Sequence, residues 1–347
     1  MQKKSFSTAG IVIVASLLIT LVVACSSKPK ETGRQLSWKE TGSSLALMHG
    51  ETVVWQFNHL RDGSTQGCAF FHPLATLDGA VLTDLRPEDH LWHRGLRFAW
   101  KKINGLEGYW TWPDGDERFA GKVMGHTDVV SVKVFPKKDF SARFELEISY
   151  HPPDEPALLT EKRTVSVSPP DKEGSYFIDW QGTFTPAGKE PVVLDRTPIL
   201  GEPDGKAWGG YAGLQLRVAH SSHLNAWSIL TSEGVDISHK VDDPKPEQKE
   251  SLARGHSKPA RWLNLTLDFS DGKTGGVTLM DHPGNLRYPS PWHISSMPNE
   301  LIYAPLFEGP YTLQPGESLF FHLGIRVHPG PVAASQLDQQ WEAFTGE

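Results

Sequence analysis

The stretches Val129–Phe135 (VVSVKVF) and Ala142–Tyr150 (ARFELEISY) alternate apolar and polar residues with a period of two. Successive side chains of a β-strand point to opposite faces, so each stretch has one face to bury and one to leave wet. The same signature, rich in β-branched and aromatic residues, recurs at Thr52–Phe57, Arg163–Val167, Tyr176–Phe184, Leu214–Val218, Arg261–Phe269, Gly276–Met280 and Ser318–Val327. Turn dipeptides punctuate the chain at Asp62-Gly63, Asp78-Gly79, Asp114-Gly115, Asp204-Gly205 and Asp271-Gly272. No segment of the body carries a long 3.6-residue apolar repeat, and only Ala333–Phe344 reads as helical. The pattern predicts an all-β fold, a large antiparallel two-sheet β-sandwich, with a barrel or jelly roll as the alternative. Residues 236–258, polar and charged, read as a long exposed loop.

The chain has 347 residues, 34 Lys and Arg against 41 Asp and Glu, and a formal net charge of −7. An acidic balance excludes the basic footprint of a nucleic-acid binder and gives no attraction to an anionic membrane surface. The N-terminus is an address. Lys3 and Lys4 precede the apolar run Ile11–Ala24, too short to span a bilayer comfortably and of the length of a signal h-region. It ends in Val22-Val23-Ala24-Cys25, which resembles a bacterial lipobox. This predicts a signal peptide over 1–24, lipidation of Cys25, a tether over 25–44 and one β-sandwich domain over 45–347. Acyl chains on Cys25 would make the lipid anchor the only membrane contact and place the protein in the cell envelope, at the outer membrane. Cys68 is then the one thiol left, which precludes an intrachain disulfide and reads as a structural thiol in an apolar run.

Two segments concentrate chemistry. The first runs from His72 to Asp84 and then through Asp89, His90, His93 and Arg94. Histidine titrates near neutral pH and ligates metals, so His90 and His93 are candidate acid–base groups or ligands of a divalent metal. Arg94 has the planar fork that orients a carboxylate or polyol, and His72 and Asp89 are candidate substrate contacts. The second segment is Asp281-His282-Pro283-Gly284-Asn285 with Trp292-His293. It places His282 with the catalytic candidates, and Asn285, Trp292 and His293 with the substrate-binding ones. Trp110 and Trp112 alternate with Thr111 beside a turn and are candidates for stacking on a sugar ring. Each of these residues has a bland alternative: a turn network for the histidines, core filling for the tryptophans.

The chain also resembles a family whose members are labelled "methane oxygenase PmoA", or PmoA-like. The resemblance rests on His72-Pro73-Leu74, Asp78-Gly79, Pro87 with Asp89-His90-x-x-His93-Arg94-Gly95-Leu96, Tyr211-x-Gly213-Leu214-x-x-Arg217, Asp281-His282-Pro283-Gly284-Asn285, Pro289-x-Pro291-Trp292-His293, and Leu313-x-Pro315-Gly316-Glu317-Ser318-Leu319. It covers roughly residues 45 to 330. It implies a β-sandwich of the galactose-mutarotase type and a role beside bacterial carbohydrate breakdown. Leu91 and Trp92 stand where that family usually has Pro and a central His, so a site built on that His is altered here. Methane oxidation itself is excluded, because a membrane oxygenase subunit needs apolar spans of about 20 residues and the body has none.

No G-x-S-x-G elbow, P-loop, strand–G-x-G-x-x-G–helix unit or H-E-x-x-H motif occurs. Two functions of different kind remain, beside a structural envelope protein with a relic site. One is a carbohydrate-active hydrolase, lyase or epimerase acting on a sugar or oxidised sugar through His and Asp. The other is a glycan-binding surface lipoprotein without turnover.

Overall fold

The computed structural model describes residues 35–59, 68–110, 119–295 and 299–346. Two nine-stranded sheets and a four-stranded one carry the fold, and every strand pairing is antiparallel. The first sheet runs, in spatial order, through Leu36–Glu40, Ser44–His49, Thr52–Asn58, Phe70–Leu74, Leu96–Ala99, Gly213–Arg217, Glu300–Tyr303, Pro291–Ile294 and Lys258–Pro259. The second runs through Asp236–Lys240, Leu224–Thr231, Trp262–Phe269, Thr274–Asp281, Leu319–Pro329, Tyr176–Pro186, Leu159–Val167, Ala142–His151 and His126–Pro136.

The sheets pack face to face through the residues that period-two alternation points inward. Phe71 meets Trp180, Phe98 meets Phe184, and Phe57 meets Phe144 with ring centroids 4.4 Å apart. Each such buried side chain contributes about 1.5–3 kcal/mol by leaving water. The two-sheet sandwich expected from the alternation is therefore the observed fold. On the strand Leu159–Val167, third from one edge of the second sheet, a buried charged pair replaces apolar packing. Glu161 accepts hydrogen bonds from Arg163 at 2.6 and 2.7 Å and from the Tyr150 hydroxyl at 2.5 Å, and the Arg163 guanidinium lies 4.7 Å from the Trp180 ring.

Two local expectations change. Residues 236–258 are not a loop: they hold the strand Asp236–Lys240 and the helix Lys245–Ala253. Ile237, Gln248 and Leu252 are buried there, and the Gln248 amide donates to the carbonyl oxygens of Lys240, Val241 and Asp243. Three anchors among many charges are too sparse for a periodic signal. The strand Leu36–Glu40 lies inside the stretch assigned to the tether, paired with Ser44–His49, so the folded body begins earlier than residue 45. The C-terminal helix Ala334–Thr345 forms as expected and lays Leu337 and Trp341 on Trp262 and Met280. The leader and Cys25 lie outside the described residues. Among the described residues no helix is long and apolar enough to cross a membrane.

Because Arg163 is 1% exposed, removing its partner strands a buried charge. Glu161→Ala is expected to cost about 3–5 kcal/mol in urea unfolding, while joint replacement by Glu161→Leu and Arg163→Met recovers most of that loss.

Candidate functional site: the outer face of the first sheet

The strands Leu96–Ala99, Gly213–Arg217, Glu300–Tyr303 and Pro291–Ile294 lie side by side. Leu96, Phe98, Leu214, Leu216, Leu301, Tyr303, Trp292 and Ile294 face the core. Their alternates point the other way. In register across the sheet these are Arg97, Gln215, Ile302 and His293, with Arg217 opposite Glu300 one step further along. This outer face is also covered: Arg97 is 1% exposed, Arg217 4% and His293 5%. Gly95 lets the Leu96–Ala99 strand approach its neighbour, since a Cβ there would sit 1.9 Å from the Phe71 carbonyl oxygen. Trp110 packs on Ala99 in a small cluster with Trp92, Phe119 and Met124, forming an aromatic cover.

The polar groups form a network around Arg217 and His93, flanked by two separate pairs, Arg97–Gln215 and Lys101–Glu107. Arg217 donates through Nη1 to His93 Nδ1 at 3.2 Å and through Nη2 to both Asp89 oxygens at 3.1 and 3.3 Å. A guanidinium only donates, so His93 Nδ1 is an acceptor and its proton sits on Nε2. That N–H faces Glu300 Oε1 at 3.3 Å. Arg97 donates through Nε to Gln215 Oε1 at 3.1 Å. His90 donates to Asp89 at 2.7 Å and stacks on the His93 ring at 4.5 Å. Lys101 lies over the Trp110 ring at 4.0 Å and pairs with Glu107 at 3.4 Å.

Burial and neighbouring charge set the protonation states. Burial pushes Glu300 up to about 7, against the pull of Arg97 and Arg217 and with help from Asp89. Burial, then the charges of Arg97, His90 and Arg217, holds His93 well below the ordinary histidine range, so it is neutral. Burial and then His256 bring His293 down to about 3. Burial acts to raise Asp89, but the hydrogen bond from His90 and the charge of Arg217 leave it below the usual carboxylate range.

Among the residues singled out in the sequence, His93, Asp89, His90, Trp110 and His293 come together on this face. His72 stands beside it, its Nδ1 on the Thr83 hydroxyl at 3.0 Å. Arg94 is buried with its guanidinium 5.4 Å from the Phe70 ring centroid. His282 is elsewhere: its ring stacks on His322 at 4.7 Å and meets Phe344 of the C-terminal helix. Trp292 is a core residue whose indole N–H donates to the Ala260 carbonyl, because strand alternation turns it inward while His293 turns out. Asn285 is a clamp, donating to Asp281 and the His322 carbonyl and accepting from the His322 N–H, each at 2.7 Å. Trp112 lies outside the described residues. Among those described, no three His, Cys, Asp or Glu side chains converge as a metal site requires; His90 and His93 stack instead.

Sequence reasoning passed over Arg97, Gln215 and Glu300. Their signal was a polar residue at an alternate position of an otherwise apolar strand, as in Leu96-Arg97-Phe98 and Leu214-Gln215-Leu216-Arg217.

The fold and this polar face define a β-sandwich protein with one buried, ionisable outer-face site. By its match over residues 44–342, the chain belongs to the family described as "Family of unknown function (DUF6807)". No PmoA family model matches, which corrects the expected resemblance to PmoA-like proteins. No curated protein matches the chain. Among solved structures, a glycoside hydrolase family 97 enzyme from Pseudoalteromonas sp. strain K8, in complex with acarbose, is 8% identical with a TM-score of 0.34, over 85% of this chain and 34% of that one. A galactose mutarotase related enzyme from Lactobacillus acidophilus is 11% identical with a TM-score of 0.24, over 85% of this chain and 97% of that one. The chain spans about a third of the length of the glycoside hydrolases it matches. Likenesses this weak do not bear on the chemistry of the site.

A carboxyl with a folded pKa of about 7 against an ordinary 4.5 favours the protonated state in the fold. Its effect on stability is nil below about 4.5 and grows unfavourable as pH rises toward 7. Between pH 4.5 and 7.5 the protein is expected to lose of order 3 kcal/mol more than Glu300→Gln does, read by urea midpoints at each pH.

Proposed function

We propose that this chain is an envelope-anchored enzyme of carbohydrate metabolism that exchanges a proton with a sugar or oxidised sugar, using Glu300 as the acid–base group. The observation that carries this reading is the Glu300 carboxyl, largely buried at 13% side-chain exposure and poised at about 7 beside a neutral histidine. A group with both protonation states populated at working pH both takes and returns a proton. The role expected of His90 and His93 therefore passes to Glu300. His93 positions it, and Arg217 is held by His93 and Asp89 with its Nε unused. A guanidinium so placed stabilises negative charge that develops on a substrate oxygen.

Carbohydrate is favoured by the mixture of groups. Arg97, Gln215, Arg217, Glu300 and His293 offer donors and acceptors on one face, as hydroxyls require. Trp92, Trp110 and Phe119 supply apolar rings for the C–H faces of a pyranose. Ionised Glu300 takes a proton from a C–H bond next to a carbonyl or carboxylate of the ligand, and the electron pair passes into that group as an enolate. Return of the proton to carbon gives exchange or epimerisation, and departure of a β-oxygen leaving group with the pair gives elimination. The N-terminal leader and lipobox support anchoring through Cys25.

The full chain, incubated in deuterium oxide with sugars, uronates and 3-keto-glycosides, is expected to place non-exchangeable deuterium in a member of that panel or to convert it. Glu300→Gln lowers that rate by at least about 100-fold without abolishing binding. Binding without exchange or product across the panel would sink the reading in favour of a glycan-binding lipoprotein. In cells fed labelled palmitate, the protein is expected to carry the label and Cys25→Ala to lose it; an unlabelled wild type would refute the anchor.

A further inference from the structure

Three buried polar atoms on the outer face have no partner: Arg97 Nη1, Arg217 Nε and His293 Nδ1. All three belong to side chains at most 5% exposed. A buried donor left unmade costs about 1–3 kcal/mol, and more when charged. Three on one face is an arrangement a ligand would complete.

The charges are unbalanced as well. Arg217 is paired with Asp89. Arg97 has no carboxylate within ion-pair distance among the described residues, and its one hydrogen bond goes to a neutral amide oxygen, Gln215 Oε1. Glu300 is the nearest carboxyl to share, and it does not ion-pair with Arg97. A guanidinium does not shed its proton at physiological pH, so the site keeps a positive charge in a place poorly reached by water.

We infer that the site takes a sugar acid, with the ligand carboxylate seated on the Arg97 guanidinium and its hydroxyls on Gln215, Arg217 and His293. This rests on the functional reading above and narrows its substrate class. A carboxylate is planar and singly charged, which fits one guanidinium fork. A phosphate dianion would carry a second negative charge toward Glu300 and Asp89. A neutral sugar would leave Arg97 uncompensated.

Seating the anion has a consequence at Glu300. The groups facing that carboxyl are Arg217 on the neighbouring strand, Arg97 one strand further, His93 and Asp89 from the segment before Gly95, and Tyr211. Neutralising Arg97 removes one of the two cations that favour the ionised form, and the ligand charge opposes it directly. Glu300 then takes up a proton as the acid binds, so the ionised form that accepts the ligand proton is populated only above this further raised pKa.

The test is calorimetric titration of the full chain at pH 7 with D-glucuronate and D-galacturonate, against D-glucose, D-galactose and glucose 6-phosphate. Buffers of different ionisation enthalpy report the protons taken up. At least one uronate is expected to bind at least tenfold tighter than its neutral counterpart and than glucose 6-phosphate, with net proton uptake that Glu300→Gln abolishes. Arg97→Met is expected to erase the preference while keeping or raising the melting temperature, because it removes an unpaired buried charge. Arg97→Lys keeps part of the preference. Equal binding of uronates and neutral sugars, tighter binding of the phosphate, binding of neither class, or a large fall in melting temperature in Arg97→Met would each overturn the inference. Failure of deuterium exchange with uronate binding intact would overturn the enzymatic reading alone.

Discussion

The two faces of the strands Leu96–Ala99 and Gly213–Arg217 constrain the rest of the molecule. One face carries Leu96, Phe98, Leu214 and Leu216 into the sandwich core. The other carries Arg97, Gln215 and Arg217, which are buried too. An ordinary antiparallel sheet leaves its second face to water. Here the segment holding Asp89 to Arg94 and the aromatic group around Trp110 cover it, so charged side chains must find partners within the protein or from a ligand.

That constraint fixes the chemistry link by link. Arg217 needs an anion and takes Asp89; in doing so it occupies His93 Nδ1 and turns the His93 N–H toward Glu300. Burial then holds Glu300 between its two states and, with the charges of Arg97, His90 and Arg217, keeps His93 neutral. No member of the network is set by its own residue type alone. The core, by contrast, tolerates a buried ion pair because Glu161, Arg163 and Tyr150 satisfy one another. The outer face leaves donors open, and such incomplete satisfaction is stability given up for function.

Much of the fold was legible in the sequence, because period-two alternation is a local signal that burial on one face enforces. The strands around Val129, Ala142 and Tyr176 appear where their patterns place them. The site was half legible. Asp89, His90 and His93 stand close together in the chain and are conspicuous. Arg97, Gln215 and Glu300 are single polar residues in short apolar strands, brought together by the pairing of residue 97 with 215 and of residue 217 with 300. His282 and Trp292 misled for the same reason. Residue type marked them, but strand parity sends Trp292 inward, and chain path sends His282 to His322 and the C-terminal helix. The resemblance to PmoA-like proteins, drawn from seven short motifs, gives way to the family match over residues 44–342, although the β-sandwich it implied is the observed fold.

One carboxyl on the outer face, that of Glu300, titrates near neutrality because burial raises it by more than Arg97 and Arg217 lower it. Carbon-13 NMR of the full chain labelled at glutamate Cδ, followed from pH 4 to 9 and compared with Glu300→Gln, reads that carboxyl directly. A resonance with its midpoint near 7, absent from the variant, is the predicted result. If every glutamate carboxyl finishes titrating below about pH 5.5, in the range ordinary for its type, the account of the site is wrong.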